Sequence, residues 1–416
     1  MYTLLIYLYS IFIRIVAFFG HSKAKQLFEG QKQVWNQLQT RLQPDERRIW
    51  IHCASVGEFE QGLPLMEDIR AQFPQYKILI TFFSSSGYEL RKNYTGADYV
   101  FYLPFDTRRN ARRFLKLVNP EKIYFIKYEF WRNYLKFAKQ HKIPLYLLSA
   151  IFRPGQVFFK WYGGWYRKLL TTVTHFFVQN EQSKKLLAKI GHTNVTVIGD
   201  TRFDRVCRIF DQARHFPEVE RFVDGQICMV AGSTWAPDEK LLIHYINTEN
   251  RNIKWIFAPH ELHESKIDRL TGSIKAKTVR YSQLSSTNPA DYRVLIIDNI
   301  GMLSSLYRYG AVAYIGGGFG KGIHNTLEAA VFGIPVFFGP TYKKFQEAVD
   351  LVALGGAIPI TNDDKFTQQL NDLLDHPDKL KKLGDIAGAF VASGRGATAK
   401  VLQGTRYHNQ DTDDAN

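Results

Sequence analysis

Short apolar runs rich in β-branched and aromatic residues recur along the chain, separated by stretches with helical periodicity. In the first half they occupy residues 49–53, 77–83, 99–103, 122–126, 144–148, 175–178 and 195–198. In the second half they occupy 227–231, 253–258, 293–297, 312–315 and 335–338. Strands that are apolar on both faces belong to parallel sheets covered on both sides by helices. The pattern therefore predicts two doubly wound α/β units in tandem. With 416 residues, the chain exceeds what one hydrophobic core usually organises. The strand pattern lapses between Asp204 and Gln226, in the polar stretch from Asp211 to Asp224. The expected division is an apolar N-terminal segment (1–21), a first α/β domain (22–210), a second (211–406) and a polar, acidic tail (407–416).

The N-terminal segment has its own pattern. Residues 4–19 are apolar apart from hydroxyls, tyrosines and a central Arg14, whereas a spanning helix needs about 20 apolar residues. No basic stretch precedes the segment and no small-residue cleavage site follows it, so it does not fit a secretory signal. It reads as a helix lying in or dipping into a membrane interface, with Arg14 snorkelling towards headgroups; a buried first helix of the domain is the alternative.

Charge and aromatic content extend this picture. Lys and Arg outnumber Asp and Glu by 54 to 39, a net charge of +15. That favours an anionic partner without choosing among nucleic acid, phosphorylated lipid and membrane surface. Aromatic residues make up 14% of the chain and alternate with basic ones at Phe152-Arg153 and throughout 158–168. Such side chains suit the headgroup boundary of a bilayer. A single-strand nucleic-acid platform uses the same residue types, and an ordinary solvated helix with one aromatic core face fits as well. Cys53, Cys207 and Cys228 form no CxxC pair and fit a reducing cytosol.

Ligands of doubly wound sheets bind beyond the carboxyl ends of the strands, which directs attention to four segments. The first strand runs into Ala54-Ser55-Val56-Gly57-Glu58. Glu58 is placed to accept a proton from an attacking hydroxyl, or simply to favour a helix start. After the fourth strand, Glu129 occupies the corresponding depth in the same sheet. It is a second carboxylate that would perturb the first or orient an acceptor, unless it pairs with Lys127 or Arg132. In the second half, Gly232-Ser233-Thr234 precedes a helix beginning near Pro237-Asp238-Glu239, which makes either an anion site or an ordinary cap. The segment from Gly316 to Glu328 follows a strand with glycines that let backbone approach a ligand. Asn325 and Glu328 fall a helical turn apart on the next helix, and Glu328 suits ribose hydroxyls. It satisfies neither G-x-G-x-x-G nor the Walker pattern, which argues against NAD and ATP.

These motifs, taken in order, resemble the Kdo (3-deoxy-D-manno-octulosonic acid) transferases of lipopolysaccharide synthesis, which are inverting glycosyltransferases of the GT-B architecture. The landmarks are Ala-Ser-Val-Gly-Glu at 54–58, Tyr-Glu-Phe-Trp-Arg-Asn at 128–133, Gly-Asp-Thr-Arg-Phe-Asp at 199–204, Gly-Ser-Thr at 232–234, Ala-Pro-His at 258–260, the glycine segment through Asn-Thr-Leu-Glu at 325–328, and Phe-Gly-Ile-Pro-Val-Phe-Phe-Gly-Pro at 332–340.

The resemblance implies two Rossmann-like domains facing an interdomain cleft, preceded by a short membrane-interacting helix. It implies that Glu58 is the catalytic base and Glu129 a second important acid. It assigns CMP binding to Ser233, Thr234, His260, the backbone of Gly317, Gly318 and Gly320, Asn325 and Glu328. Ser55, Gly57, Arg153 and Arg202 would contact acceptor or phosphate. The implied partners are CMP-Kdo, a lipid A precursor (lipid IVA) and anionic inner-membrane lipids, with no nucleic acid, on the cytoplasmic face of the inner membrane. CMP-Kdo is a substrate, and no cofactor or metal is expected, since a CMP-sugar has no diphosphate to bridge. Three positions depart from the pattern. His260 stands where many members have arginine, Ser149-Ala150-Ile151 replaces Asn-Ala-Arg and leaves Arg153 as the nearest cation, and Asp200 replaces asparagine before Arg202. The competing readings are a UDP-sugar-dependent GT-B transferase acting on another membrane lipid and a non-catalytic basic module binding membrane or nucleic acid.

Overall fold

The computed structural model of the protein describes residues 2–127, 129–405 and 407. It contains two compact units, one of residues 1–205 with 396–416 and one of residues 206–395. The first holds a seven-stranded sheet of β1 (Arg48–Cys53), β2 (Lys77–Phe82), β3 (Tyr99–Tyr102), β4 (Pro120–Ile126), β5 (Leu145–Ala150), β6 (His175–Val178) and β7 (Val195–Val197). Its order is β3-β2-β1-β4-β5-β6-β7, with every pairing parallel. Along β1, Trp50 joins a core with Leu79, Phe101 and Phe125 on one face. Ile49, Ile51 and Cys53 join Ile78, Ile80 and Phe82 on the other. Both faces are buried, which is why apolar residues occupy both faces of the strand, with Arg48 and His52 as its two polar positions.

The second unit repeats the plan with β8 (Cys228–Thr234), β9 (Lys254–Pro259), β10 (Thr278–Arg280), β11 (Val294–Ile296), β12 (Val312–Ile315), β13 (Val336–Phe338) and β14 (Ala357–Pro359). The order is β10-β11-β9-β8-β12-β13-β14, again wholly parallel. β10 and β14 were not foreseen. They are edge strands of composition Thr-Val-Arg and Ala-Ile-Pro, and neither sits in a continuous apolar run. In each sheet the chain builds outwards from a central strand in both directions, so a switch point falls between β1 and β4 and between β8 and β12, and each opens a crevice at the strands' carboxyl ends.

The division differs from the expected one. The chain passes from the first unit to the second at 205/206, inside the helix Thr201–Asp211, and it returns at 396. The helix Ala397–Thr405, expected in the second domain, buries Ala397 and Val401 with Ile49 and Ile51 of the first. Tyr407, expected to begin the polar tail, stacks on Phe73 at 4.4 Å and shares a 2.6 Å hydroxyl contact with Tyr124. The rest of that expected tail, 408–416, lies outside the described residues. An apolar helix can pack wherever a sheet face is bare, so sequence order did not fix its domain.

The N-terminal segment forms the helix Tyr2–Phe18, which buries only Ser10 and Ala17. Leu4, Leu8, Ile11, Phe12, Ile15 and Phe18 are exposed, so it is not the buried first helix of the alternative reading. Tyr9 packs on Phe83 and Phe105, just past β2 and β3, and Tyr2 donates to the Asp106 carboxylate at 2.7 Å. Arg14 lies with its guanidinium over the Phe28 ring. No helix among the described residues is long and apolar enough to cross a membrane.

The returning segment is held by buried Asp204, which accepts from the backbone N–H groups of Gly396 and Thr398 and from the Thr398 hydroxyl. Asp204→Ala leaves three donors without a partner and should cost about 2–3 kcal/mol. The expected readout is a lower urea midpoint together with protease cleavage near residue 395. Asp204→Asn, which keeps one acceptor oxygen, should lose less.

Candidate active site

In the first unit the crevice lies between β1 and β4, and the two predicted carboxylates flank it. β1 leads into the helix Val56–Gln72, with Ser55 as its N-cap accepting from the Glu58 N–H. The Glu58 carboxylate folds back to accept from the Ala54 N–H at 2.5 Å. Glu58 is buried, at 8% exposure. Burial raises its pKa above the ordinary carboxylate value, against the Ala54 hydrogen bond and the positive charge of Lys127. Lys127, at the end of β4, adopts a left-handed φ of 63°. No heavy atom stands within 4 Å of where a Cβ on Gly57 would be, so space is open in front of the helix start.

Glu129 is half-buried. Its pKa is pushed up to about 7, first by burial and then by the negative charge of Glu58, with Trp131 partly offsetting the rise. The structure thus brings Glu58 and Glu129 within electrostatic reach of each other. The alternative ion pair is not formed. The charge of Lys127 acts on Glu58, and Arg132 lies over the rings of Trp165 and Tyr2.

Behind the carboxylates lies a polar relay that the sequence did not announce. The Trp131 indole donates to His52 Nε2 at 3.0 Å. Indole is only a donor, so His52 Nε2 is the acceptor and Nδ1 carries the hydrogen, placed 3.1 Å from the Thr81 carbonyl. Full burial lowers the His52 pKa to about 3, so the ring is neutral and fixes Trp131 beside Glu129. A lone histidine inside an apolar strand gives no sequence signal of this kind.

Other expected contacts have different surroundings. Arg202 donates through Nε and Nη2 to buried Asp200 at 3.0 and 2.8 Å, and Gln61 Nε2 donates to the same carboxylate at 3.0 Å. Burial would raise the Asp200 pKa, but Arg202 outweighs it and the net shift is downward. The replacement of asparagine by Asp200 is thereby matched by its own cation. Arg153 is exposed on the loop after β5.

In the second unit the crevice between β8 and β12 gathers the predicted donor residues. β8 continues through Ser233 to Thr234, further than predicted, with a register shift between Gly232 and Thr234 and a φ of 54° at Ser233. Buried Asp238 accepts from the Trp235 N–H at 3.0 Å, the Gly317 N–H at 2.9 Å and the Tyr314 hydroxyl at 2.9 Å. These two backbone donors are therefore occupied, and Asp238 ties the glycine segment to the start of the helix Ala236–Thr248. Thr234 donates to Glu239, while Ser233 lines a cavity of about 310 Å³ with Pro259, His260, Leu262, Ile297 and Leu303.

The glycines divide by role. Gly317 has a φ of 90°, and a Cβ on Gly318 would stand 2.5 Å from the Gly339 nitrogen, so both are demanded by packing. Gly320 is under no such demand, since a Cβ there would make only an ordinary contact at 3.6 Å. Asn325 donates to Glu328 at 3.0 Å, so they are neighbours as expected. They do not share a helix face, however: the helix is only Leu327–Ala330, and Asn325 precedes it. Trp235 stacks on His260 at 4.4 Å, His260 lies 4.7 Å from His324, and the Trp235 indole donates to His324 Nε2 at 3.1 Å. This aromatic group replaces the arginine of the pattern with a flat, hydrogen-bonded surface. Among the described residues no cluster of three or more His, Cys, Asp or Glu side chains could hold a metal ion.

Comparison with known proteins bears on the family and the fold. Residues 25–205 match the family model described as 3-deoxy-D-manno-octulosonic-acid transferase (kdotransferase). A 3-deoxy-D-manno-octulosonic acid transferase of Aquifex aeolicus is 25% identical over 354 residues, covering 82% of this chain and 91% of the relative. One from Chlamydophila psittaci is 24% identical over 342 residues, covering 79% and 78%. The solved UDP-GlcNAc 2-epimerase of Neisseria meningitidis superposes with a TM-score of 0.60 at 15% identity, covering 86% of this chain and 99% of that one. At that identity the match speaks for the fold alone. Two doubly wound units of this order constitute the GT-B architecture, and the chain, matching the kdotransferase model over residues 25–205 and aligned with such relatives over about four-fifths of its length, is similar to the Kdo transferases.

Proposed function

We propose that the protein transfers Kdo from CMP-Kdo to a lipid A precursor with inversion at the anomeric carbon. The observation that carries this reading is the desolvated Glu58 at the end of β1, its pKa raised by burial and its carboxylate held by one backbone N–H. An acceptor hydroxyl attacks the anomeric carbon on the face opposite CMP, and Glu58 takes its proton as the new C–O bond forms. The bond to the CMP phosphate breaks, and CMP leaves with the electron pair. A carboxylate with a raised pKa is a stronger base than an ordinary one.

Support for a nucleotide in the second unit comes from the cavity beside Ser233. Ile297, Leu262 and Leu303 offer apolar walls to a pyrimidine, and the Ser233 hydroxyl and His260 supply polar contacts. Glu328, aligned by Asn325, is the ribose partner. A donor with a single phosphate needs no metal to bridge a diphosphate.

The lipid acceptor places the protein at a membrane, which we take to be the cytoplasmic face of the inner membrane. The exposed apolar helix Tyr2–Phe18 supports this, as do the exposed Trp161, Tyr162, Trp165 and Tyr166. The cations on this side come chiefly from the helix Arg108–Val118, where Arg108, Arg109, Arg112 and Arg113 are exposed. Arg167 is instead occupied by the carbonyls of Phe158 and Lys160.

Three measurements test the reading. Glu58→Gln should abolish Kdo transfer, by about 100- to 10,000-fold, with CMP affinity retained. Near-normal turnover of the purified variant would exclude Glu58 as the base.

Glu129 makes a pH prediction. Its native pKa of about 7 lies above that of the unfolded chain, so between about pH 4.5 and 7 the native state holds a proton that the unfolded state has lost. Stability should therefore fall as pH rises through this window, by up to about 1.4 kcal/mol per unit, and Glu129→Gln should flatten that slope. Urea titrations at pH 5 and pH 8 check it, and an equal slope in wild type and variant contradicts it.

For the membrane, Leu4→Glu, Leu8→Glu and Phe12→Glu combined change only exposed side chains. They should reduce cosedimentation with anionic vesicles while leaving the fold intact, and added salt should reduce it further, because each basic residue near the surface contributes about 1 kcal/mol. Undiminished sedimentation at high salt would place the attachment elsewhere.

A further inference from the structure

Within the first unit, a cavity of about 560 Å³ opens between the N-terminal helix and the segment that follows β5. It is lined by Leu5 of the N-terminal helix, by Val157, Phe158 and Leu169, and by Phe130. Ligand pockets commonly span about 300–1,000 Å³, and the lining here is apolar apart from Arg108 and Arg132. Neither arginine is in an ion pair among the described residues. Arg132 is fixed in place, since its guanidinium lies 5.1 Å from the Trp165 ring centre and 5.9 Å from that of Tyr2. The N–H groups of the next two residues, Asn133 and Tyr134, are held by Asp106. The same carboxylate accepts from the Tyr2 hydroxyl, so one buried acid sets both the N-terminal helix and the arginine.

We propose that this cavity takes one acyl chain of the lipid acceptor, with Arg108 and Arg132 meeting anionic groups of its head. The inference rests on the transferase reading above and names a subsite for it. Charge complementarity favours a phosphorylated lipid over a neutral one. Continuity with the catalytic carboxylates favours the acceptor over bulk phospholipid. Phe130 directly follows Glu129 in the chain, so a chain seated against it carries its attached sugar towards Glu129 and Glu58. A chain of this kind also explains why Leu5 and Trp165 remain uncovered by the protein itself.

The test compares an acylated acceptor with the same phosphorylated disaccharide stripped of its acyl chains. Leu5→Phe and Val157→Phe each narrow the cavity. In either variant the ratio of KM for the acylated acceptor to KM for the stripped one should rise about tenfold, the effect of losing contact with one or two methylenes. A ratio unchanged in both variants overturns the proposal. A second readout does not need turnover. An acceptor with a brominated acyl chain, added in trace amount to detergent micelles, should quench a fluorescence component that Trp165→Phe removes. Equal quenching of that component by brominated phosphatidylglycerol overturns the commitment to the acceptor. If wild-type protein shows the quenching but transfers Kdo to neither acceptor, the transferase reading fails while the lipid site stands.

Discussion

A parallel sheet covered on both faces has no place for polar chemistry except at the ends of its strands, and this constraint governs both units. In the turns and helix starts outside the sheet, backbone N–H groups are left without a partner in the sheet or helix, and buried acids accept from them. Asp106, Asp200, Asp204, Asp238 and Glu58 all do so. What separates the proposed base from the structural acids is how much accepting capacity is left. Asp238 is filled by three donors and Asp200 by its arginine and Gln61. Asp106 has Tyr2 and the N–H groups of Asn133 and Tyr134. Glu58 meets one backbone donor and is otherwise desolvated. Burial outweighs both that donor and the charge of Lys127, so taking a proton relieves a cost that the fold has already imposed.

The same device serves in both units to hold a site rigid without charge. In the first, Trp131 donates to a neutral His52, which is anchored to Thr81. In the second, Trp235 donates to His324, whose pKa is lowered by burial and by the neighbouring His260. Each indole–imidazole pair fixes a tautomer, and each presents a broad flat surface at a strand end. A neutral pair is suited to a place beside an anionic substrate, because it orients contacts without competing with arginine for the phosphate. It also gives a physical meaning to His260 standing where the family pattern has arginine. The stacked Trp235 supplies shape where a cation would have supplied attraction.

Much of this was legible from the pattern of residues. Continuous apolar strands announced parallel sheets, and the rule that ligands sit past the carboxyl ends then pointed to Glu58, Glu129, Ser233 and the glycine segment, all of which flank a crevice. What stayed hidden depended on contacts between residues far apart in sequence. His52 looks like one more position in a buried strand, and Asp238 looks like a helix-start acid; only the fold brings the first to Trp131 and the second to Gly317. Strands β10 and β14 gave no signal because Thr-Val-Arg and Ala-Ile-Pro lie outside any continuous apolar run. The helix Ala397–Thr405 was assigned to the wrong unit because its apolar face fits any bare sheet. The glycines carried a mixed message, since packing explains Gly317 and Gly318 and leaves only Gly320 free for another purpose.

The N-terminal helix links the fold to the proposed membrane reading. An isolated 17-residue segment with so many large apolar side chains facing water would be expected to bury them against its own domain. Here it is pinned at a few points, chiefly by Tyr2 to Asp106 and by Tyr9 on Phe83 and Phe105, and its outer face is left bare. Those anchor points sit past the ends of β2 and β3, on the side of the sheet that carries Glu58 and Glu129. A fold that fixes an apolar helix there, and then places the arginines of residues 108–113 alongside it, combines two modest attractions: insertion of apolar side chains, and charge against anionic headgroups. Neither needs to be strong alone, because their free energies add. Weak attachment at the rim of the site suits a transferase that must draw its acceptor from a bilayer while taking its donor from water.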